Sequence, residues 1–174
     1  MGNRHNGAVD ILSQPVLQAD HRILYGADPS QFGDLWLPKT YPGIRRFPLI
    51  VFFHGGWWKS EYDLGYTGRL CRAFDDAGFA CWSVEYRRTG STGGGWPATF
   101  QDAAAGFDHV VTLAKTYPLD LTRVITMGHS AGGHLAFWVA GRHGLPPGSN
   151  LQADAPQIVL SGAIALEGVM KLRA

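Results

Sequence analysis

Apolar and polar positions along the chain change period several times, and each change marks an element. DHRILYG, residues 20–26, alternates polar and apolar as a half-buried strand does. QFGDLWLP, residues 31–38, reads as a second strand, with Pro29 and Gly33 marking the turn between them and Pro38, Pro42 and Gly43 forming the loop that follows. Leu49 to Phe53 is a continuous apolar run, β-branched and aromatic, which suits a strand buried on both faces of a parallel sheet. Leu70, Cys71, Phe74 and Ala77 then recur near helical spacing, and Gly78 stands where a helix would end. Phe79–Tyr86 reads as the next strand. Pro97 to Tyr117 carries Phe100, Ala103, Ala104, Phe107, Val110, Val111 and Ala114 on one stripe, which predicts the longest helix. Arg123–His129 is a buried strand, Ser130 to Gly141–Gly144 a helix, and Pro156–Leu166 a last strand.

The predicted order is β-β-β-α-β-α-β-α-β. Two meandering strands followed by alternating helices and strands predict an α/β fold, a three-layer sheet that is parallel after its start. A chain of 174 residues with 45% hydrophobic positions supports one domain with a real core. Residues 1–17 show no period and read as an N-terminal extension. Residues 18–174 read as a partial domain.

The formal net charge of +1 offers no attraction to nucleic acid. Arg45-Arg46 and Arg87-Arg88 are isolated pairs expected at the solvated surface. No run of 18 apolar residues is present, so no membrane span is expected. The N-terminus lacks the apolar stretch of a signal peptide, and Asn6 stands where a myristoylation motif needs Ser or Thr. Cytoplasm is the default. Cys71 and Cys81 are too few for a disulfide framework and lack metal spacing, so they read as buried thiols.

Two glycine-rich segments carry candidate chemistry. Gly128-His129-Ser130-Ala131-Gly132 matches G-x-S-x-G between a buried strand and a helix, the context in which that motif presents a nucleophilic serine. Side chains two residues either side of the serine would collide, hence the glycines. An inert serine in a phosphate-binding turn is the alternative, but a Rossmann loop needs Gly at position 130 and a P-loop needs a Gly-Lys pair that is absent. His54-Gly55-Gly56-Trp57 ends the first strongly buried strand, where an oxyanion loop belongs. The expected oxyanion donors are the backbone N–H groups of Gly56, Trp57 and Ala131.

HGGWW, VEYRR, GGGWPATFQDAA and LDLTRVITMGHSAGGHLA together resemble the α/β-hydrolase superfamily. Within it they look most like the bacterial serine esterase and arylformamidase (kynurenine formamidase-like) group. The resemblance spans roughly residues 20 to 170. It implies Ser130 as nucleophile, an oxyanion hole from the His54 loop with His54 itself bracing that loop, a small ester or aryl formamide as substrate, and no cofactor or metal. Trp57 departs from the lipase-type H-G-G-G pattern; its N–H can still donate, and its indole would narrow the acyl side of the pocket. The Trp57-Trp58 pair and Trp96 hint at an aromatic or short-acyl substrate, or simply pack the core.

An activated serine needs a base oriented by an acid, and in this fold the order is Ser, Asp or Glu, then His. After Ser130 the only acids are Asp154 and Glu167, and the only histidines His134 and His143. His134 reads as a packing residue rather than a base. His143 is a helix-length away, and His129 should point away from the serine. Asp154 and Glu167 read as surface carboxylates, and Asp102 and Asp108 as helix caps or surface charges. The expectation is therefore a C-terminally incomplete hydrolase lacking its last strands and helix, inactive as it stands. The alternatives are a non-catalytic small-molecule receptor on the same fold and a prolyl-oligopeptidase-type peptidase.

Overall fold

The computed structural model describes residues 12, 14–39, 43, 45–146, 148–151, 158 and 160–170. Six strands form one sheet: β1 (His21–Leu24), β2 (Phe32–Trp36), β3 (Phe47–Phe53), β4 (Ala80–Val84), β5 (Leu119–His129) and β6 (Leu160–Leu166). Their spatial order is β1-β2-β4-β3-β5-β6. The β1–β2 and β2–β4 pairs are antiparallel, and the rest are parallel. Most of the N-terminal extension expected over 1–17, and Asp154, lie outside the described residues.

Helices cover both faces. A 3₁₀ turn (Leu64–Thr67) leads into α1 (Gly68–Asp76) on one face; α2 (Ala98–Asp108), α3 (Val110–Leu113) and α4 (Ala131–Gly141) lie on the other. The alternation of β3 builds both cores. Leu49, Val51 and Phe53 join Trp82, Val84, Phe107, Val110 and Leu135 on one side. Ile50 and Phe52 join Trp36, Cys71, Cys81 and Met127 on the other. A strand buried on both sides has no polar face to show, which is why its sequence is uniformly apolar. Gly78 closes α1 at φ 88°, a left-handed position that suits glycine.

Four details depart from the sequence expectations. Gly33 lies inside β2 rather than in the turn, and the Trp82 ring occupies the space its Cβ would need, 2.5 Å away. The long helix has an irregular step at His109, where ψ is −19°, shallower than the roughly −42° of a regular helix. β5 begins four residues early, at Leu119, and its register against β3 shifts between Pro48 and Leu49. Polar Asp120, Thr122 and Arg123 hid that start: they bond one another, with Asp120 accepting from Thr122 and Arg123. Finally, Arg87, Arg88 and Asp102 are not surface charges. Asp102 is fully buried and receives the Arg87 guanidinium at 2.8 and 2.7 Å, the Arg87 N–H at 2.9 Å and Gln31 at 2.8 Å. Asp108 is likewise paired, with the buried Arg142. Arg45 and Arg46 are exposed, as expected.

Candidate active site

The parallel strands β3 and β5 end side by side, Phe53 opposite Gly128, so the segments that leave them meet at one edge of the sheet. After β5 the chain passes through Ser130 at φ 52°, ψ −117° and enters α4. That conformation is unfavourable for a residue with a Cβ, costing about 1–3 kcal/mol. It persists because the flanking glycines leave no clearance. A Cβ on Gly128 would sit 2.1 Å from the Gly132 carbonyl oxygen, and one on Gly132 would sit 2.0 Å from the Phe53 oxygen and 2.5 Å from the His54 oxygen. The Ser130 N–H donates to Leu166 at 2.8 Å, which ties the turn to the end of β6.

The segment after β3 is left-handed at three successive residues, with φ 110° at Gly56, 54° at Trp57 and 57° at Trp58. Main-chain bonds from Lys59 to Gly56 and from Thr89 to Trp58 pin its far side. The Gly55 N–H donates to the Tyr66 hydroxyl at 2.6 Å. The Gly56, Trp57 and Ala131 N–H groups donate to none of the described residues. The Gly55 and Ser130 N–H groups, by contrast, are committed to Tyr66 and Leu166.

His54 is buried completely. Its Nε2 lies 3.0 Å from Glu85 Oε1, its Nδ1 2.7 Å from the Gly55 oxygen, and its ring stacks on Tyr86 at 4.3 Å. Glu85, 1% exposed, also accepts the Leu64 and Tyr86 N–H groups. Burial alone would push the Glu85 carboxyl up; the His54 ring, Arg88 and the Tyr86 N–H together hold it below the ordinary carboxylate range. Sequence reasoning missed Glu85. Its only signal was a charged residue at the end of an otherwise apolar strand, in VEYRR.

Three further histidines lie near the serine turn, on α4 or just past its end. His134 turns its ring edge-on to Trp58 and Phe100, at 5.5 and 5.8 Å, and burial pushes its pKa down. His129 Nδ1 lies 3.3 Å from the Tyr66 hydroxyl. His143 contacts the Ala140 carbonyl at the far end of α4. Among the described residues none hydrogen-bonds the Ser130 hydroxyl, and Glu167 follows β6 at φ 49°. No group of three or more metal-ligating side chains occurs among the described residues, and no helix there is long and apolar enough to cross a membrane.

A cleft of about 270 Å³ opens beside the His54 loop, lined by Trp57, Trp58, Trp96 and Phe100 with Lys59 and Thr89 at its edge. Trp57 is 63% exposed and Trp96 72%. These two indoles therefore do not pack the core. The Arg87–Asp102 pair ties the start of the Gly-rich loop to α2, whose Thr99 and Phe100 line the cleft.

A mostly parallel sheet, a strained serine between two obligate glycines and open amides on the adjacent loop define an α/β-hydrolase fold. The chain belongs to the BD-FAE family, whose model matches residues 34–147. It is 30% identical over 144 residues to Esterase LipC of Mycobacterium tuberculosis, covering 77% of this chain and 34% of that protein. It is 32% identical over 120 residues to a probable isoprenylcysteine alpha-carbonyl methylesterase of Arabidopsis thaliana, ICMEL2, covering 68% and 27%. The crystal structure of esterase B from Lactobacillus rhamnosis superposes with a TM-score of 0.74 over 91% of this chain and 52% of that one; at 23% identity it shows the fold alone. The chain thus spans about a quarter to a third of the length of the curated relatives it matches and about half of that structure.

Proposed function

We propose that the protein is a carboxylesterase-type serine hydrolase in which Ser130 attacks the ester carbonyl and the Gly56, Trp57 and Ala131 N–H groups receive the oxyanion. The observation that carries this reading is the Ser130 backbone, held at φ 52° by glycines that tolerate no Cβ, in a turn packed against the Phe53 and His54 carbonyls where the His54 loop begins. Strain at a polar residue kept in place by its surroundings is a mark of a working site. In the reaction the serine oxygen bonds to the carbonyl carbon and its proton passes to a base. The tetrahedral intermediate then expels the alcohol, and water releases the acyl group. One oxyanion donor is worth about 3–4 kcal/mol in the transition state.

The aromatic cleft suits a small substrate with a flat apolar part, which keeps an aryl formamide alongside an ester. Among the described residues no base bonds the Ser130 hydroxyl, so the 174-residue chain by itself is expected to turn over near background. That same observation favours the second reading, a binding protein that keeps the pocket without the chemistry. Fluorophosphonate labelling of a version carrying the whole hydrolase domain separates them. Labelling lost in Ser130→Ala supports the hydrolase; no labelling leaves the binding protein, and labelling that survives the substitution removes Ser130 as nucleophile.

A further inference from the structure

The His54 loop holds a second chemical feature besides its open amides. Both ring nitrogens of the buried His54 face oxygens that can only accept: the Gly55 carbonyl at 2.7 Å and the Glu85 carboxylate at 3.0 Å. A neutral imidazole carries one N–H, so one of these contacts would set lone pair against lone pair. An imidazolium satisfies both. A half-turn of the ring would replace both contacts with C–H groups.

The surroundings suit that charge. Glu85 is anchored from the other side by the Leu64 and Tyr86 N–H groups. Arg88 reaches it at 3.4 Å and also donates to the Tyr62 carbonyl. The Tyr86 ring lies flat on the imidazole, 8° from parallel, and its hydroxyl donates to the His54 carbonyl. A cation over an aromatic face is favourable. The charged groups around the ring are therefore Glu85 and Arg88, with Tyr86 on its face and Tyr66 holding the next amide. Two cations against one carboxylate leave a net positive charge beneath the loop.

We propose that the buried His54 ring carries a proton on both nitrogens, one given to Glu85 and one to the Gly55 carbonyl, and that it polarises the Gly55–Gly56 peptide and so strengthens the Gly56 N–H as a donor to an oxyanion. The Gly55 carbonyl and the Gly56 N–H belong to one conjugated unit. A charge-assisted hydrogen bond on the oxygen draws electron density away from the nitrogen, and the N–H at the other end becomes the better donor. His54 and Glu85 are positioning residues here, since they act through Gly56. The donor role of Gly56 rests on the function proposed above; the protonation state of His54 does not.

Nitrogen-resolved NMR of the labelled 174-residue chain tests this without turnover. Both His54 ring nitrogens are expected to carry protons in the folded chain. A bare ring nitrogen overturns the proposal. In Glu85→Gln the ring should give up a proton and the Gly56 amide proton should move upfield; Glu85→Asp should restore both in part. A Gly56 amide that stays put while the ring loses its proton overturns the polarisation. Should Glu85→Gln fail to fold, Glu85→Asp, which keeps the charge but shortens its reach, reads the same Gly56 response. A Ser130 that never labels would sink the hydrolase reading and leave these spectra unchanged, so the two failures are distinguishable.

Discussion

The segment after β3 and the turn after β5 leave neighbouring parallel strands, and both carry left-handed backbone, yet different forces hold them. The serine turn is locked by absence: two glycines whose missing Cβ atoms let main chain touch main chain. The His54 segment is locked by presence: a buried carboxylate, a histidine, two tyrosine hydroxyls and an arginine. The two also abut, since the missing Cβ of Gly132 is filled by the Phe53 and His54 carbonyls. A steric lock gives all-or-none tolerance. A polar lock is graded, and it answers to pH.

The comparison is broken most severely on the steric side. Gly132→Ala places a Cβ against rigid backbone, and a loss on the order of 4 kcal/mol or more is expected, read as a collapse of the urea midpoint. Glu85→Ala comes next. Leaving His54 and Arg88 without their carboxylate should cost about 3–5 kcal/mol, while Glu85→Gln costs less because the shape is kept. Tyr66→Phe strands the Gly55 N–H and should cost about 1–3 kcal/mol in the same titration. Ser130→Gly runs the other way. Relief of strain should raise stability by about 1 kcal/mol while abolishing any fluorophosphonate label.

The pH dependence sharpens the contrast. The folded Glu85 carboxyl lies below its unfolded value of about 4.3, so its contribution is complete above that value and is lost as pH falls through the folded one. Acid unfolding in that window should shrink in Glu85→Gln and persist in Ser130→Gly. Equal acid sensitivity in the two variants would remove Glu85 as the graded lock.

Much of the fold was legible because local pattern and burial coincide. Leu49–Phe53 is apolar since both its faces are covered, and Gly128 and Gly132 bracket Ser130 since neither can carry a side chain. The misread residues are those whose partners lie far along the chain. Arg87 and Asp102 pair across 15 residues, and Glu85 meets His54 across 31. A charge in sequence looks solvated until the fold brings its partner. His109 and the start of β5 were missed for a related reason: an irregular helical step and a polar strand end leave the hydrophobic period unmarked.

The exposed walls of the cleft give the molecule an optical handle. Trp36 and Trp82 are buried, so their emission should lie toward the blue; Trp57 and Trp96, open to water, should emit at longer wavelength. A compound that enters the cleft displaces water from those two indoles first. Binding should therefore appear as a blue shift and a loss of iodide quenching confined to the red edge of the spectrum. Trp57→Ala, which should change stability by less than about 0.5 kcal/mol as a solvent-exposed substitution, ought to remove part of that signal. The cleft would then report its own occupancy before any product is formed.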